Sequence, residues 1–181
     1  MKFTEKKIEG VYLIEPEPYE DDRGMLRRHY CQREFKDNNL MTDIKQTNVS
    51  ENKKKHTLRG FHFQYPPHGE NKVISCIKGR IYDIVVDLRE KSETYLKWQS
   101  FELTEENRLS IYVPIGCANA YLTLKVNTWI LYYHSEFYAP GGEGGIRYND
   151  TFFKFHWPAE PKMISDKDLN IPDFTINSMR L

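Results

Sequence analysis

Nothing in this 181-residue chain approaches the roughly 20 consecutive apolar residues that cross a bilayer. A membrane-spanning helix is therefore excluded. The opening MKFTEKKIEG carries positive charges with no apolar block behind them, which argues against a secretory signal. Charge of one sign is missing too, because 26 Lys and Arg face 26 Asp and Glu. A general nucleic-acid binder needs a surplus of phosphate-neutralising cations, so that class is set aside. The Lys53-Lys54-Lys55 run sits beside Glu51 and Asn52 and reads as a solvated loop. Cysteine is scarce: Cys31, Cys76 and Cys117 form an odd, scattered set without a CxxC. Reduced thiols in a cytoplasmic protein fit better than a disulfide framework. Internal repeats, linkers, low-complexity tracts and long helical periods are also lacking, which excludes coiled coils, helical bundles and disorder.

What the chain does have is aromatic residues, with 12 Tyr, 10 Phe and 3 Trp, a composition that favours strands. Short strand-like segments recur: 11–16, 44–50, 57–64, 72–77, 80–88, 98–103 and 109–114. A hairpin is expected from 121–126 to 128–134 through Lys125, Val126 and Asn127. Residues 31–36 read as a short helix, stopped by Asp37-Asn38-Asn39, and 104–108 as a turn or short helix. Short strands at regular spacing, punctuated by Gly and Pro, predict an all-β sandwich or barrel. The expectation is one domain over 1–181, a jelly roll with short peripheral helices.

The segment Leu58-Arg59-Gly60-Phe61-His62-Phe63-Gln64 is unusual, since Arg, His and Gln interrupt a strand-like run. It belongs to an ordered set of motifs. They are Asp21-Asp22-Arg23-Gly24, Gln46-Thr47-Asn48-Val49-Ser50, Pro66-Pro67, Lys72, the stretch 82–98 and Glu106-Asn107. The set continues with 113–116, Tyr132, the FYAP of 137–140, the EGGIRYND of 143–150, Trp157-Pro158 and Ser165-Asp166-Lys167-Asp168. In that order, over almost the whole length, the chain resembles the dTDP-4-dehydrorhamnose 3,5-epimerase family of cupin-like nucleotide-sugar enzymes.

The resemblance implies a double-stranded β-helix working as a homodimer, with an N-terminal strand crossing to the partner. It implies inversion of carbons beside the C4 ketone of a 4-keto-6-deoxysugar carried on a nucleoside diphosphate, without a cofactor. Products of that kind serve lipopolysaccharide O-antigen or related surface glycans, so the expected location is the cytoplasm. Such chemistry needs a base, a donor facing the carbonyl oxygen, and an acid across the ring. His62 has the right ordinary titration range for the base. Asp168 matches the carboxylate that orients it, Lys72 the charge facing the enolate oxygen, and Tyr132 the acid. Arg23 and Arg59 match the positions that hold the diphosphate, where a guanidinium fork suits phosphate oxygens. Gln46, Asn48, Arg28, Asn119 and Tyr138 complete the expected substrate-binding set. The other histidines, His29, His56, His68, His134 and His156, read as structural or solvent-facing.

A metal cupin needs an HxH pair, a following Glu and a later His. Gln64 and Asn119 stand where two of those imidazoles belong, so no metal is expected. Asn119 also stands where the family usually has a histidine near the ketone oxygen. An amide donates hydrogen bonds but carries neither charge nor proton, which leaves Lys72 more of the work and favours inversion at one carbon, C3. Met25-Leu26-Arg27-Arg28 replaces a Phe-Phe-x-Glu-like stretch that contacts the nucleobase. Arginine at 28 suits the acceptors of cytosine, so a CDP-sugar stands beside a dTDP-sugar. Tyr133, beside Tyr132, points to the other strand face. The alternative functions are a non-catalytic nucleotide-sugar binder and a 3,4-ketoisomerase on the same scaffold.

Overall fold

The computed structural model describes residues 1–176; the last five positions of the expected 1–181 domain lie outside the described residues. In chain order the strands are β1 (Lys2–Glu5), β2 (Tyr12–Glu15), β3 (Tyr19–Asp21), β4 (Gly24–Leu26), β5 (Gln46–Asn52), β6 (Leu58–Gln64) and β7 (Lys72–Lys78). They continue with β8 (Arg80–Asp87), β9 (Trp98–Thr104), β10 (Ser110–Val113), β11 (Cys117–Thr123), β12 (Thr128–His134) and β13 (Glu143–Gly145). Two short helices complete the set, α1 (Gln32–Asp37) and α2 (Asp166–Leu169).

One sheet of six strands runs β1-β2-β10-β7-β12-β5, another of five runs β13-β6-β11-β8-β9, and β3-β4 forms a separate ribbon. This is the cupin-like jelly roll expected. Period-2 alternation decides which residues enter the space between the sheets. On β8, Ile81 and Val85 join the inter-sheet core with Ile74, Ile111, Tyr121 and Ile130. Their neighbours Ile84 and Val86 turn outward against Phe61, Phe63, Phe153 and Phe174. The six-stranded sheet is covered likewise, Val73 and Tyr112 packing on Phe35 of α1. Each fully buried aliphatic or aromatic side chain is worth about 1.5–3 kcal/mol, so both sheets are anchored on both faces.

The expected hairpin through 125–127 does not form. β11 pairs with β6 and β8, whereas β12 pairs with β5 and β7 in the opposite sheet. Two apolar runs joined by a short turn look alike whether they pair or change sheets. Here Leu124 N–H goes to Arg80 O and Asn127 N–H to Lys53 O, so the chain steps across instead. The strand β11 also begins earlier than the sequence suggested, at Cys117, because the small residues Ala118 and Ala120 are fully buried within it. β1 pairs with β2 of its own chain, Lys2 opposite Glu15, and the projecting N-terminal element is the β3–β4 ribbon.

Candidate active site

The same alternation that builds the core places polar side chains at one end of the inter-sheet space. His62 on β6 and Asn119 on β11 are cross-strand partners in the five-stranded sheet. Lys72 on β7 and His134 on β12 are cross-strand partners in the six-stranded sheet. Tyr132 lies two residues before His134 and shares its face. His62, Lys72, Asn119, Tyr132, His134 and Arg59 all line one cavity of about 300 Å³. Asn48 and Tyr138 line it as well.

Close approach of β6 to β11 requires Gly60. Its φ is +104°, and a Cβ there would sit 2.5 Å from Asn119 O, a geometry glycine alone adopts without strain. A register shift between Asn119 and Tyr121 bends β11 beside it, as bulges do next to functional sites.

His62 Nε2 lies 2.7 Å from Asp168 Oδ1. The carboxylate arrives from α2, where Ser165 caps the helix by accepting the Asp168 N–H at 3.1 Å. The preceding segment is strapped to β6, Leu58 N–H donating to Met163 O at 2.8 Å. Burial alone would raise the Asp168 carboxyl. The hydrogen bond and charge of His62, with Gly60 N–H and Ser165, outweigh it and hold Asp168 below the ordinary carboxylate value. Ionised Asp168 takes the Nε2–H tautomer of His62, leaving the Nδ1 lone pair for the cavity.

Lys72 is almost fully buried, 6% exposed. Its ammonium donates to His62 O at 3.0 Å and to Asn119 Oδ1 at 3.4 Å, and pairs with Glu70 at 3.3 Å. Asn119 in turn donates Nδ2–H to Asp83 Oδ2 at 3.1 Å. Asp83 is completely buried, and its Oδ1 has no hydrogen-bond partner among the described residues. Burial pushes its carboxyl well above the ordinary range, against the opposing effects of Asn119 and Lys72. The Tyr132 phenol is likewise pushed well above its ordinary value, chiefly by burial, with Tyr121 and Asp83 adding to it. It therefore stays protonated at neutral pH, as a proton donor must.

The remaining expected residues are placed differently. Arg59 reaches Asn52 Oδ1 at 3.0 Å at the cavity's edge. Gln46 lies outside the lining but accepts Tyr138 N–H at 3.2 Å, holding that loop. Arg23 is 88% exposed on the ribbon and forks onto Asp21. Arg28 pairs with Glu34 at 2.5 Å. Neither reaches the cavity of its own chain. Gln64 is a strut, its amide bonded to His68 O, Phe137 O and Ala139 N. Tyr133 packs outside the sheet near Tyr30, as alternation requires.

One reading of the sequence is corrected. His134 is no bland surface histidine: it lines the cavity, lies parallel to the Tyr132 ring at 5.7 Å, and bonds Glu70 Oε2 through Nδ1 at 2.7 Å. The i, i+2 spacing from Tyr132 was the signal that could have found it.

Residues 5–175 match the profile described as dTDP-4-dehydrorhamnose 3,5-epimerase. A protein of that name from Methanothermobacter thermautotrophicus is 35% identical over 173 residues, covering 93% of this chain and 92% of that one. The crystal structure of the enzyme so named from Elizabethkingia anophelis superposes with a TM-score of 0.92 at 35% identity, covering 96% of each chain. A 3'-monoepimerase from Streptomyces bikiniensis, solved with dTDP-quinovose, gives 0.87 at 29%, covering 93% and 85%.

Proposed function

This chain belongs to the dTDP-4-dehydrorhamnose 3,5-epimerase family, and from that footing we propose how its residues carry out epimerisation of a nucleoside-diphospho-4-keto-6-deoxysugar. The carrying observation is the arrangement of one cavity. His62 stands on one sheet with Asp168 of α2 behind it, a protonated Tyr132 on the other sheet, and a buried Lys72 beside both. His62 Nδ1 takes the proton from the carbon beside the ketone, and Asp168 steadies the imidazolium. Electrons move into the C4 carbonyl, whose oxygen becomes the enolate facing the Lys72 ammonium. Tyr132 then delivers its proton to the opposite face of that carbon, and the carbonyl re-forms as configuration inverts. Each group sits ready before the reaction, which is how electrostatic stabilisation lowers a barrier. The scheme uses no metal or cofactor.

The finer reading is a thymidine diphosphate sugar, as the relatives' names suggest; Arg28 pairs with Glu34 on the surface of its own chain, which gives the CDP-sugar alternative no support. Arg59 holds the diphosphate with Asn48 and Tyr138 beside it. Arg23 of the partner subunit completes the hold in a homodimer, carried there by the β3–β4 ribbon instead of by β1. A cytoplasmic role in supplying deoxysugars for surface glycans such as O-antigen follows from such a substrate. Inversion at C3 alone is favoured by Asn119. Its carbonyl serves Lys72 and its amide serves Asp83, so Lys72 alone meets the enolate oxygen.

The test is an NMR time course in deuterated water with the dTDP-4-keto-6-deoxy sugar. Deuterium with inversion at C3 is expected. Comparable labelling at C5 would restore the double epimerase, and no labelling at either carbon would reduce the chain to a binder.

A further inference from the structure

Tyr121 lines the cavity beside Tyr132, yet the proposed reaction gives its hydroxyl no task. Its ring belongs to the inter-sheet core, and Tyr132 packs against the same cluster. A phenylalanine would fill that space as well, so packing does not account for the hydroxyl. The residue is 2% exposed, and a buried hydroxyl costs stability unless it is hydrogen-bonded. Its partners form a chain that leads outward through the cavity wall. Tyr121 Oη lies 3.0 Å from Ser50 Oγ and 3.4 Å from Asn52 Oδ1. Ser50 Oγ accepts Asn52 Nδ2–H at 3.3 Å, which frees its own hydrogen for the phenol. Asn52 is fixed in turn, donating to Thr128 O at 3.2 Å and accepting Arg59 Nε–H at 3.0 Å. On the inner side the neighbour is Tyr132. Burial raises both phenols above their ordinary value; a hydrogen bond between them raises Tyr132 further and eases Tyr121 down.

We propose that Tyr121 is a positioning residue for the acid, passing its proton to Tyr132 as Tyr132 protonates the ring carbon. The inference rests on the epimerase reading and deepens it. Without a relay, Tyr132 would be left as a buried phenolate, a charge that is costly unless it receives a hydrogen bond. With one, the charge emerges a residue further out, where Ser50 can donate to it and the Arg59 guanidinium attracts it. Tyr121 gives up only its long contact to Asn52 when its O–H turns inward. The protons balance. The Tyr132 O–H bond breaks as the C–H bond forms, and the Tyr121 O–H bond breaks as that of Tyr132 is remade. Ser50 protonates Tyr121 and draws a proton from water, being partly exposed on the edge strand β5. His62 returns to solvent the proton it took. Asp83 also lies near Tyr132 but offers no such path, since its Oδ1 has no partner among the described residues.

Tyr121→Phe keeps the ring and removes the relay. In the epimerisation assay its kcat should fall at least about tenfold, the worth of one charge-assisted hydrogen bond. Affinity for dTDP, read by calorimetry, should change little. Rates in mixtures of light and heavy water count the protons in motion. For the parent chain the plot of rate against deuterium fraction should be curved, because two or more protons move together. For Tyr121→Phe it should be straight, a change that a merely structural hydroxyl would not cause. Ser50→Ala should also lower kcat, and adding it to Tyr121→Phe should cost nothing further, since both interrupt one path. A straight plot for the parent chain, an unchanged kcat in Tyr121→Phe, or losses that multiply in the double variant would each overturn the relay. If the parent chain labels no ring carbon, the epimerase reading falls and takes the relay with it. An active parent beside an indifferent variant overturns the relay alone.

Discussion

His62 Nε2 and Asp168 Oδ1 stand 2.7 Å apart across 106 positions of sequence. The contact exists because residues 162–169 run back along the start of β6 and turn into α2 beneath the imidazole. Since Nε2 is given to the carboxylate, Nδ1 is the nitrogen left for the proposed proton abstraction, and the orientation of the ring depends on the strap as much as on the strand.

His62→Ala should therefore abolish labelling and inversion at the ring carbon. The expected loss is at least about 10²–10⁴-fold, the usual worth of a positioned base. Calorimetry should find dTDP binding intact, because Arg59 and Asn48 are untouched. Turnover above a few per cent of the parent chain would remove His62 from its role.

Asp168→Asn should slow turnover by about 10²-fold or more without moving the backbone, since an amide no longer selects the Nε2–H tautomer. A stability effect accompanies it, with a definite sign. The folded carboxyl lies below its ordinary 3.8, so its stabilising contribution is present above that value and is lost as pH falls through the lower folded one. Thermal melts should show the parent above the variant at pH 6, with the gap closing below pH 3.8. A gap independent of pH would contradict the linkage.

Asp83 carries the opposite sign. Its folded carboxyl lies well above 3.8, so the folded chain is favoured at low pH and loses that advantage as pH rises toward the folded value. Asp83→Asn mimics the neutral acid without the penalty. Its melting temperature should match the parent near pH 4 and exceed it at pH 8. A lower melting temperature throughout would mean that the ionised carboxylate is needed.

Two inactive variants should complement one another. Arg23→Ala and His62→Ala damage different chains' contributions to one site if the ribbon crosses between protomers. Co-refolding the two should restore part of the activity through mixed dimers carrying one intact site. No recovery from stable mixed dimers would place Arg23 and His62 of one site on the same chain.

Strand periodicity in the sequence revealed the jelly roll and the two faces of Tyr132-Tyr133, because alternation needs only local information. The ordered motifs pointed to His62, Lys72, Tyr132 and Asp168, although their meeting depends on contacts far apart in the chain. The 125–127 connection misled because a step between sheets and a tight turn share one polarity pattern. Glu70 escaped notice since a carboxylate between a proline-rich turn and a strand looks like surface, and its burial arises from β12 closing over it. Arg23 matched a motif and Arg28 stood where the chain departs from one, yet both lie outside the cavity of their own chain. Motif order carries no information about which chain a residue serves.

Gly60 has one more consequence, for how this protein can drift over generations. Any Cβ at 60 would meet the backbone of Asn119 and Ala120, so no smaller neighbour can be recruited to make room. The lesion has no second-site cure on β11, and the position should behave as a dead end in a saturation library. Around it, exposed Thr47 and Glu51 on the edge strand should accept most replacements. Tolerance to mutation along this chain is thus expected to fall sharply at a residue that performs no chemistry, because the absence of its side chain is what lets Asn119 lie beside His62.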